Sequence, residues 1–109
     1  MARQARYEKQ EFIGLLEGYI EEHLKQNINV EKIAGYFGVN VATLRRWCLE
    51  YTQLSPRDYL ALYRIKKAKT LLQQGQKSLQ VADHVGFSQQ KTFCSVFKRY
   101  EKTSPGQFC

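Results

Sequence analysis

The 109-residue sequence predicts an all-α fold of about seven helices, arranged as two helix-turn-helix units joined by one long linker helix. Three observations predict it. Apolar residues recur at helical spacing along most of the chain. Capping residues and glycines punctuate those stretches. One local signal also occurs twice: "EYTQLSPRDYL" (Glu50–Leu60) and "RYEKTSPGQF" (Arg99–Phe108) carry a Tyr, a Ser-Pro and a following aromatic at the same spacing.

In chain order, Phe12, Leu16, Tyr19, Ile20 and Leu24 share a helix face, which predicts an amphipathic helix from Glu8 to about Lys25. Asn27 and Asn29 interrupt it, and Asn29 suits the cap of the next helix. Val30, Ile33, Ala34 and Phe37 then fall on one face, with Gly38 where a left-handed C-terminal residue is wanted. Asn40 is the following cap, opening a helix whose Leu44, Trp47, Cys48 and Tyr51 form a second apolar stripe. Two short helices around a Gly-bearing turn are the helix-turn-helix pattern.

Ser55 opens the linker helix. Its hydroxyl can accept from the N–H of Asp58, Pro56 suits the first helical position, and Asp58 interacts well with the positive helix end. The helix is expected to reach about Gln74 before Gly75 stops it, spanning roughly 28 Å. Tyr59, Leu60, Leu62, Tyr63 and Ile65 make its start apolar almost all round, as in a helix clasped from both sides.

After Gly75 the pattern restarts. Leu79, Val81, Ala82 and Val85 lie on a short helix ended by Gly86; Phe93, Val96, Phe97 and Tyr100 lie on the next. "TSPGQF" repeats the Ser-Pro start, with Gln107 three residues after Ser104 as a capping box. Ala34 and Gly38 match Ala82 and Gly86 at an offset of 48, and beyond the turn the offset is 49 (Leu44/Phe93, Tyr51/Tyr100, Ser55/Ser104). One residue has been added within "GFSQ". The expected organisation is a first subdomain at 8–54, the linker at 55–75 and a second subdomain at 76–109.

Recognition helices serving one face of B-DNA sit about one helical turn apart, ~34 Å. A roughly 28 Å strut plus the width of each unit can hold two such helices near that separation within one chain. The site so read lacks two-fold symmetry, because "VATLRR" differs from "QQKTFCS".

Composition narrows the function. Lys plus Arg number 17 against 10 Asp plus Glu, a net +7 that favours a polyanionic partner, nucleic acid or an anionic membrane face, over a merely solvated basic surface only in company with other signals. No apolar run approaches the ~20 residues of a membrane span, and "MARQARYEKQEF" lacks a secretory signal pattern. Cys48, Cys94 and Cys109 make neither a disulfide framework nor a metal-ligand spacing, and read as reduced thiols in a cytosolic, cytoplasmic protein. No catalytic arrangement, cofactor motif, metal site or small-molecule site is evident, and enzyme activity is not expected. Trp47, Leu44, Phe93 and Phe97 read as core, His23 and His84 as solvated or helix-capping, and Lys66, Lys67 and Lys69 as a solvated helix face or phosphate contacts.

"VADHVGFSQQKTFCSVFKRYEKTSPGQF" is similar almost throughout to the signature of AraC/XylS-type bacterial transcription regulators, and "INVEKIAGYFGVNVATLRRWCLEYTQLSPRDYLALYRIKKAKTLL" matches it in pattern. The resemblance covers about Phe12 to Phe108. It implies seven helices, two units in adjacent major-groove segments of double-stranded DNA, and promoter binding, more often as an activator, through RNA polymerase. Many members carry a separate effector-binding domain, so the chain is expected to be a short stand-alone regulator or an excised domain.

The resemblance places base contacts on Val41, Ala42, Arg45 and Arg46 in the first unit, and on Gln89, Gln90, Lys91 and Ser95 in the second. Asn40, Ser88, Lys98 and Arg99 are the expected phosphate contacts. Side-chain chemistry agrees in part, since Arg suits guanine O6/N7, Gln adenine N6/N7 and Ala a thymine methyl. Arg45 and Arg46 point about 100° apart, so Arg45 is the expected base reader and Arg46 holds a phosphate or an acidic partner. Ser95 stands where the family often has a basic residue, and Glu101-Lys102 where it has an aromatic-Gly pair. A second functional class is a helical protein-interaction module that binds polymerase or another regulator with weak DNA contacts.

Overall fold

A computed structural model of the protein describes residues 7–26 and 28–105. Among the described residues there are six helices and no strand: α1 (Lys9–Glu22), α2 (Val30–Phe37), α3 (Val41–Thr52), α4 (Pro56–Gln73), α5 (Ser78–His84) and α6 (Gln90–Glu101). The expected seventh helix, opening at Ser104-Pro105, falls mostly outside the described residues.

Local chemistry starts and stops these helices. Asn29 Oδ1 accepts from the Lys32 N–H at 2.8 Å, and Asn40 Oδ1 from the Thr43 N–H at 2.8 Å, so each takes up one donor that a helix start leaves orphaned. Ser55 Oγ accepts from the Asp58 N–H at 3.2 Å with Pro56 at the first helical position. The two helix-turn-helix turns close alike. Val39 N–H donates to the Ala34 carbonyl at 3.0 Å and Phe87 N–H to the Ala82 carbonyl at 2.9 Å, with Gly38 and Gly86 both left-handed at φ 71° and 94°. The 48-residue offset is thus a repeat of hydrogen bonds as well as of letters.

One continuous core runs through both units. Phe12, Leu16 and Ile20 of α1 join Ile33, Phe37, Leu44 and Trp47, while Ile65, Ala68 and Leu72 of α4 join Val81, Val85, Phe93 and Phe97. Phe12 stacks on Phe37 at 5.0 Å and meets Trp47 edge-on at 6.0 Å. Because α4 contributes to this core at both its ends, its eighteen residues form an unbroken strut of about 27 Å. The molecule is elongated accordingly, 52 × 23 × 21 Å.

Two expectations need correction. Leu79 does not join the apolar face of α5 but is 64% exposed. Val81 and Ala82, with Val85 just past its end, define the buried arc of that seven-residue helix, and Leu79 lies about 110° from the centre of that arc. The first helix also stops sooner than its apolar spacing suggests: α1 ends at Glu22, and His23 turns its Nδ1 back to the Tyr19 carbonyl at 3.0 Å.

A polar seam locks α1 onto α4. Glu17 and Glu21 lie one turn apart on α1; Tyr59, Tyr63 and Lys67 lie one turn apart on α4. The Tyr59 hydroxyl donates to Glu17, the Tyr63 hydroxyl donates to Glu21 at 2.6 Å, and Lys67 pairs with Glu21 at 3.1 Å. The Tyr63 hydrogen bond, with Lys67 beside it, holds the Glu21 carboxyl below its usual pKa, whereas burial first and the acceptor carboxylates second push both phenols up. Lys25, three residues past α1, reaches Asp83 of α5 at 3.4 Å, which carries the seam across to the second unit.

Candidate nucleic-acid interface

The residues expected to read DNA begin at the N-terminal ends of α3 and α6. In the first unit Asn40, Ala42, Arg45 and Arg46 are exposed, while Val41 is half-buried and packs against the core. In the second unit Ser88, Gln89, Gln90, Lys91, Ser95, Lys98 and Arg99 are all exposed. Val41 therefore offers less reach than its neighbours. The Asn40 side chain is also committed locally, since its Oδ1 caps α3.

Basic side chains sort by location. Lys25, Lys67 and Lys69 are paired with Asp83, Glu21 and Glu101, at 3.4, 3.1 and 3.2 Å. Among the described residues, no carboxylate pairs with Arg45, Arg46, Lys91, Lys98 or Arg99. Cations on α3 and α6 thus keep their charge available for an external anion, while Lys67 and Lys69 of the linker brace the fold. Lys67 and Lys69 are accordingly no simple solvated face.

Helices α3 and α6 border one concavity. A cleft of about 640 Å³ separates the units; Val41 and Arg45 of α3 line one side, and Phe87 with Val96 of α6 the other. Its floor includes Leu60 and Arg64 of the linker. Arg64 was missed in the sequence. Its guanidinium lies 5.7 Å from the centroid of the Phe87 ring, its Nε is buried without a hydrogen-bond partner, and burial lowers its pKa. A basic residue half a linker away from any capping signal gives no local clue to such a place.

The second unit differs from the first in how its second helix, α6, begins. Gln89 occupies the cap position of α6 but makes no side-chain cap bond, unlike Asn40. Gln90 Nε2 instead donates to Ser78 Oγ at the start of α5, at 2.9 Å. Cys94, at the position matching Arg45, is half-buried. The buried Cys48 thiol is pushed up to about 12 by desolvation, which suits packing rather than reactivity.

Residues 33–109 match the sequence pattern of a family described as "Helix-turn-helix domain". The fold superimposes, with a TM-score of 0.80 and 27% identity, on a Chromobacterium violaceum transcriptional regulator of the AraC-type DNA-binding class, covering 91% of this chain and 89% of that one. This chain belongs to the AraC-type helix-turn-helix family.

Among curated AraC-type relatives, the HTH-type transcriptional activator RhaS of Escherichia coli O157:H7 is 33% identical over 94 residues, 85% of this chain. The match spans only 34% of the RhaS length. A further structural neighbour is the DNA-binding domain of AdpA, a global transcriptional factor solved with a target DNA. It has a TM-score of 0.80 and 24% identity over 88% of this chain and 87% of that one, a likeness of fold. Among the described residues, no helix is long and apolar enough to cross a membrane.

Proposed function

We propose that this chain binds double-stranded DNA sequence-specifically and regulates transcription, one molecule placing α3 and α6 in adjacent major-groove segments. The observation that carries the reading is the duplicated helix-turn-helix unit held on an unbroken eighteen-residue strut, with cations on α3 and α6 that pair with no carboxylate among the described residues. In this reading residues 8–54 and 76–109 are the two DNA-reading subdomains, and 55–75 is the linker that spaces them. Arg45 takes the base contact of the first unit and Gln90 that of the second. Ala42 and Lys91 lie beside them, and Ser95 contributes a short polar side chain further along α6. Lys98, Arg99 and Ser88 position the protein on phosphates, and Arg46 does the same for the first unit.

RhaS is named as an activator, and activation through contact with RNA polymerase, in the cytoplasm, is the output we assign to this chain by analogy. No catalytic step, metal or cofactor enters the reading. Selection of preferred sites from random DNA tests it. The expected result is an asymmetric site with two unlike halves about ten base pairs apart, protected over about 20 base pairs. Equal binding to unrelated DNAs at physiological salt defeats it. A protein-interaction role is the second reading, favoured by the short side chains of Ala42 and Ser95 among the exposed residues of α3 and α6. It is supported instead by a salt-independent protein complex with no DNA retained at low salt.

A further inference from the structure

Ser78 opens α5 and Gln90 opens α6, so the hydrogen bond between them ties together the leading ends of the two helices of the second unit. The Ser78 hydroxyl does not cap its own helix, since Lys77 holds the cap position before α5 and no side-chain cap bond is made there. Among the described residues its one hydrogen-bond partner is Gln90 Nε2, at 2.9 Å. The first unit has no equivalent. The same 48- and 49-residue offsets that align the repeats pair Ser78 with Val30 and Gln90 with Val41, two apolar residues packed against the core.

A primary amide has two N–H donors and one carbonyl acceptor. With one N–H given to Ser78, the other N–H and the carbonyl remain, and these are the donor and acceptor that a bidentate contact to adenine N7 and N6 uses. An untethered glutamine on an exposed helix end rotates about a broad, two-fold terminal torsion. It then presents N–H groups to guanine O6 or N7 as readily as its carbonyl to cytosine N4. A held amide discriminates; a rotating one averages. The tether also removes rotamer freedom before DNA arrives, so less is lost on binding.

We infer that Ser78, which itself touches no base, is a positioning residue that holds the Gln90 amide in the orientation reading adenine, and so sets the specificity of the second unit at one base pair. The inference rests on the proposed DNA-binding function, and its test separates the two. Site selection from random DNA is run with the wild-type chain, Gln90→Ala, Ser78→Ala and Ser78→Thr. The wild-type chain is expected to prefer adenine roughly tenfold or more at one position of the second half-site, and Gln90→Ala to abolish that preference. Ser78→Ala flattens the same position to within about twofold of equality while leaving every other position unchanged, and Ser78→Thr, which keeps the hydroxyl, restores it.

A merely structural role for Ser78 fades all positions together, and that result overturns the inference. So does Ser78→Ala with adenine still preferred, a wild-type preference for guanine at that pair, or a selected site that Gln90→Ala leaves unaltered; in these cases DNA binding stands. If the wild-type chain selects no site, the proposed function falls with it.

Discussion

The carbonyl oxygen of Leu24, just past α1, lies so close to Gly86 that a Cβ on residue 86 would sit 2.2 Å from it. The same Cβ would sit 3.1 Å from a guanidinium nitrogen of Arg64. The turn of the second unit is therefore pressed against the end of the first helix by backbone, and only a residue without a side chain allows it. Gly38, its counterpart, has φ 71° but open space around it.

That contrast sets the first prediction. Gly38→Ala meets only the left-handed backbone strain, about 1–2 kcal/mol. Gly86→Ala adds an overlap with backbone that cannot turn aside, for a total of roughly 3–4 kcal/mol. Urea denaturation of the two variants measures the difference. Equal losses would mean that the Leu24–Gly86 approach opens freely, and with it the angle between the units.

The second prediction concerns the other ends of the repeats. Gln53 stops α3 at φ 62° and Lys102 stops α6 at φ 66°, and the two are 49 residues apart, so the repeat extends to a left-handed conformation that neither residue favours. Glycine relieves about 1–2 kcal/mol of strain and loses roughly 0.4–1 kcal/mol through a freer unfolded chain. Lys102→Gly and Gln53→Gly are each expected to stabilise by about 0.5–1 kcal/mol, raising the midpoint of thermal unfolding by roughly 4 °C. An unchanged or lowered midpoint in both would count against the left-handed caps.

What was legible in the sequence follows from how far apart the interacting groups are. Asn29, Asn40 and Ser55 each bond a backbone N–H three residues on, so their capping could be read from a few letters. The duplicated turns were equally readable, because Ala34 and Gly38 do locally what Ala82 and Gly86 do again. Partners 42 residues apart, Glu17 with Tyr59 and Glu21 with Tyr63, leave no trace in any local pattern. The candidate interface divides the same way. Exposure of Ala42, Arg45, Gln90 and Lys91 followed from helical phase, but the bond from Gln90 to Ser78 and the place of Arg64 under Phe87 depend on how whole helices meet. Leu79 went astray because a seven-residue helix is too short for spacing to show which arc is buried.

The seam between α1 and α4 predicts an acid dependence. The Glu21 carboxyl is held below its usual value of 4.5, first by the Tyr63 hydroxyl and then by Lys67. A carboxyl depressed in the folded state contributes stability above its unfolded pKa and loses that contribution as pH falls through the folded one. The loss therefore falls below pH 4.5. Tyr63→Phe removes the leading cause, so the Glu21 titration followed by NMR moves back up towards 4.5, and acid unfolding of the variant begins at higher pH. Glu21 is exposed, so the effect on overall stability is small and the titration is the sharper measurement. A Glu21 titration identical in the two proteins would remove Tyr63 as its cause.

The last prediction separates the two kinds of DNA contact by their response to salt. Arg45, exposed on α3 and proposed to read a base, stands without an acidic partner among the described residues and borders the cleft between the units. Arg45→Ala is expected to cost about 1–3 kcal/mol on the preferred site and to relax selection at one base pair of the first half-site. Lys98 lies two turns along α6 from Gln90, and in the proposed reading it holds a phosphate. Lys98→Ala is expected to weaken all DNAs alike and to lower the slope of log affinity against log salt by about 0.9. Titrations of specific and scrambled duplexes at several salt concentrations measure both. If Arg45→Ala weakens the scrambled duplex as much as the specific one, Arg45 holds a phosphate, and base readout in the first unit passes to the neighbouring Arg46, about 100° around the helix.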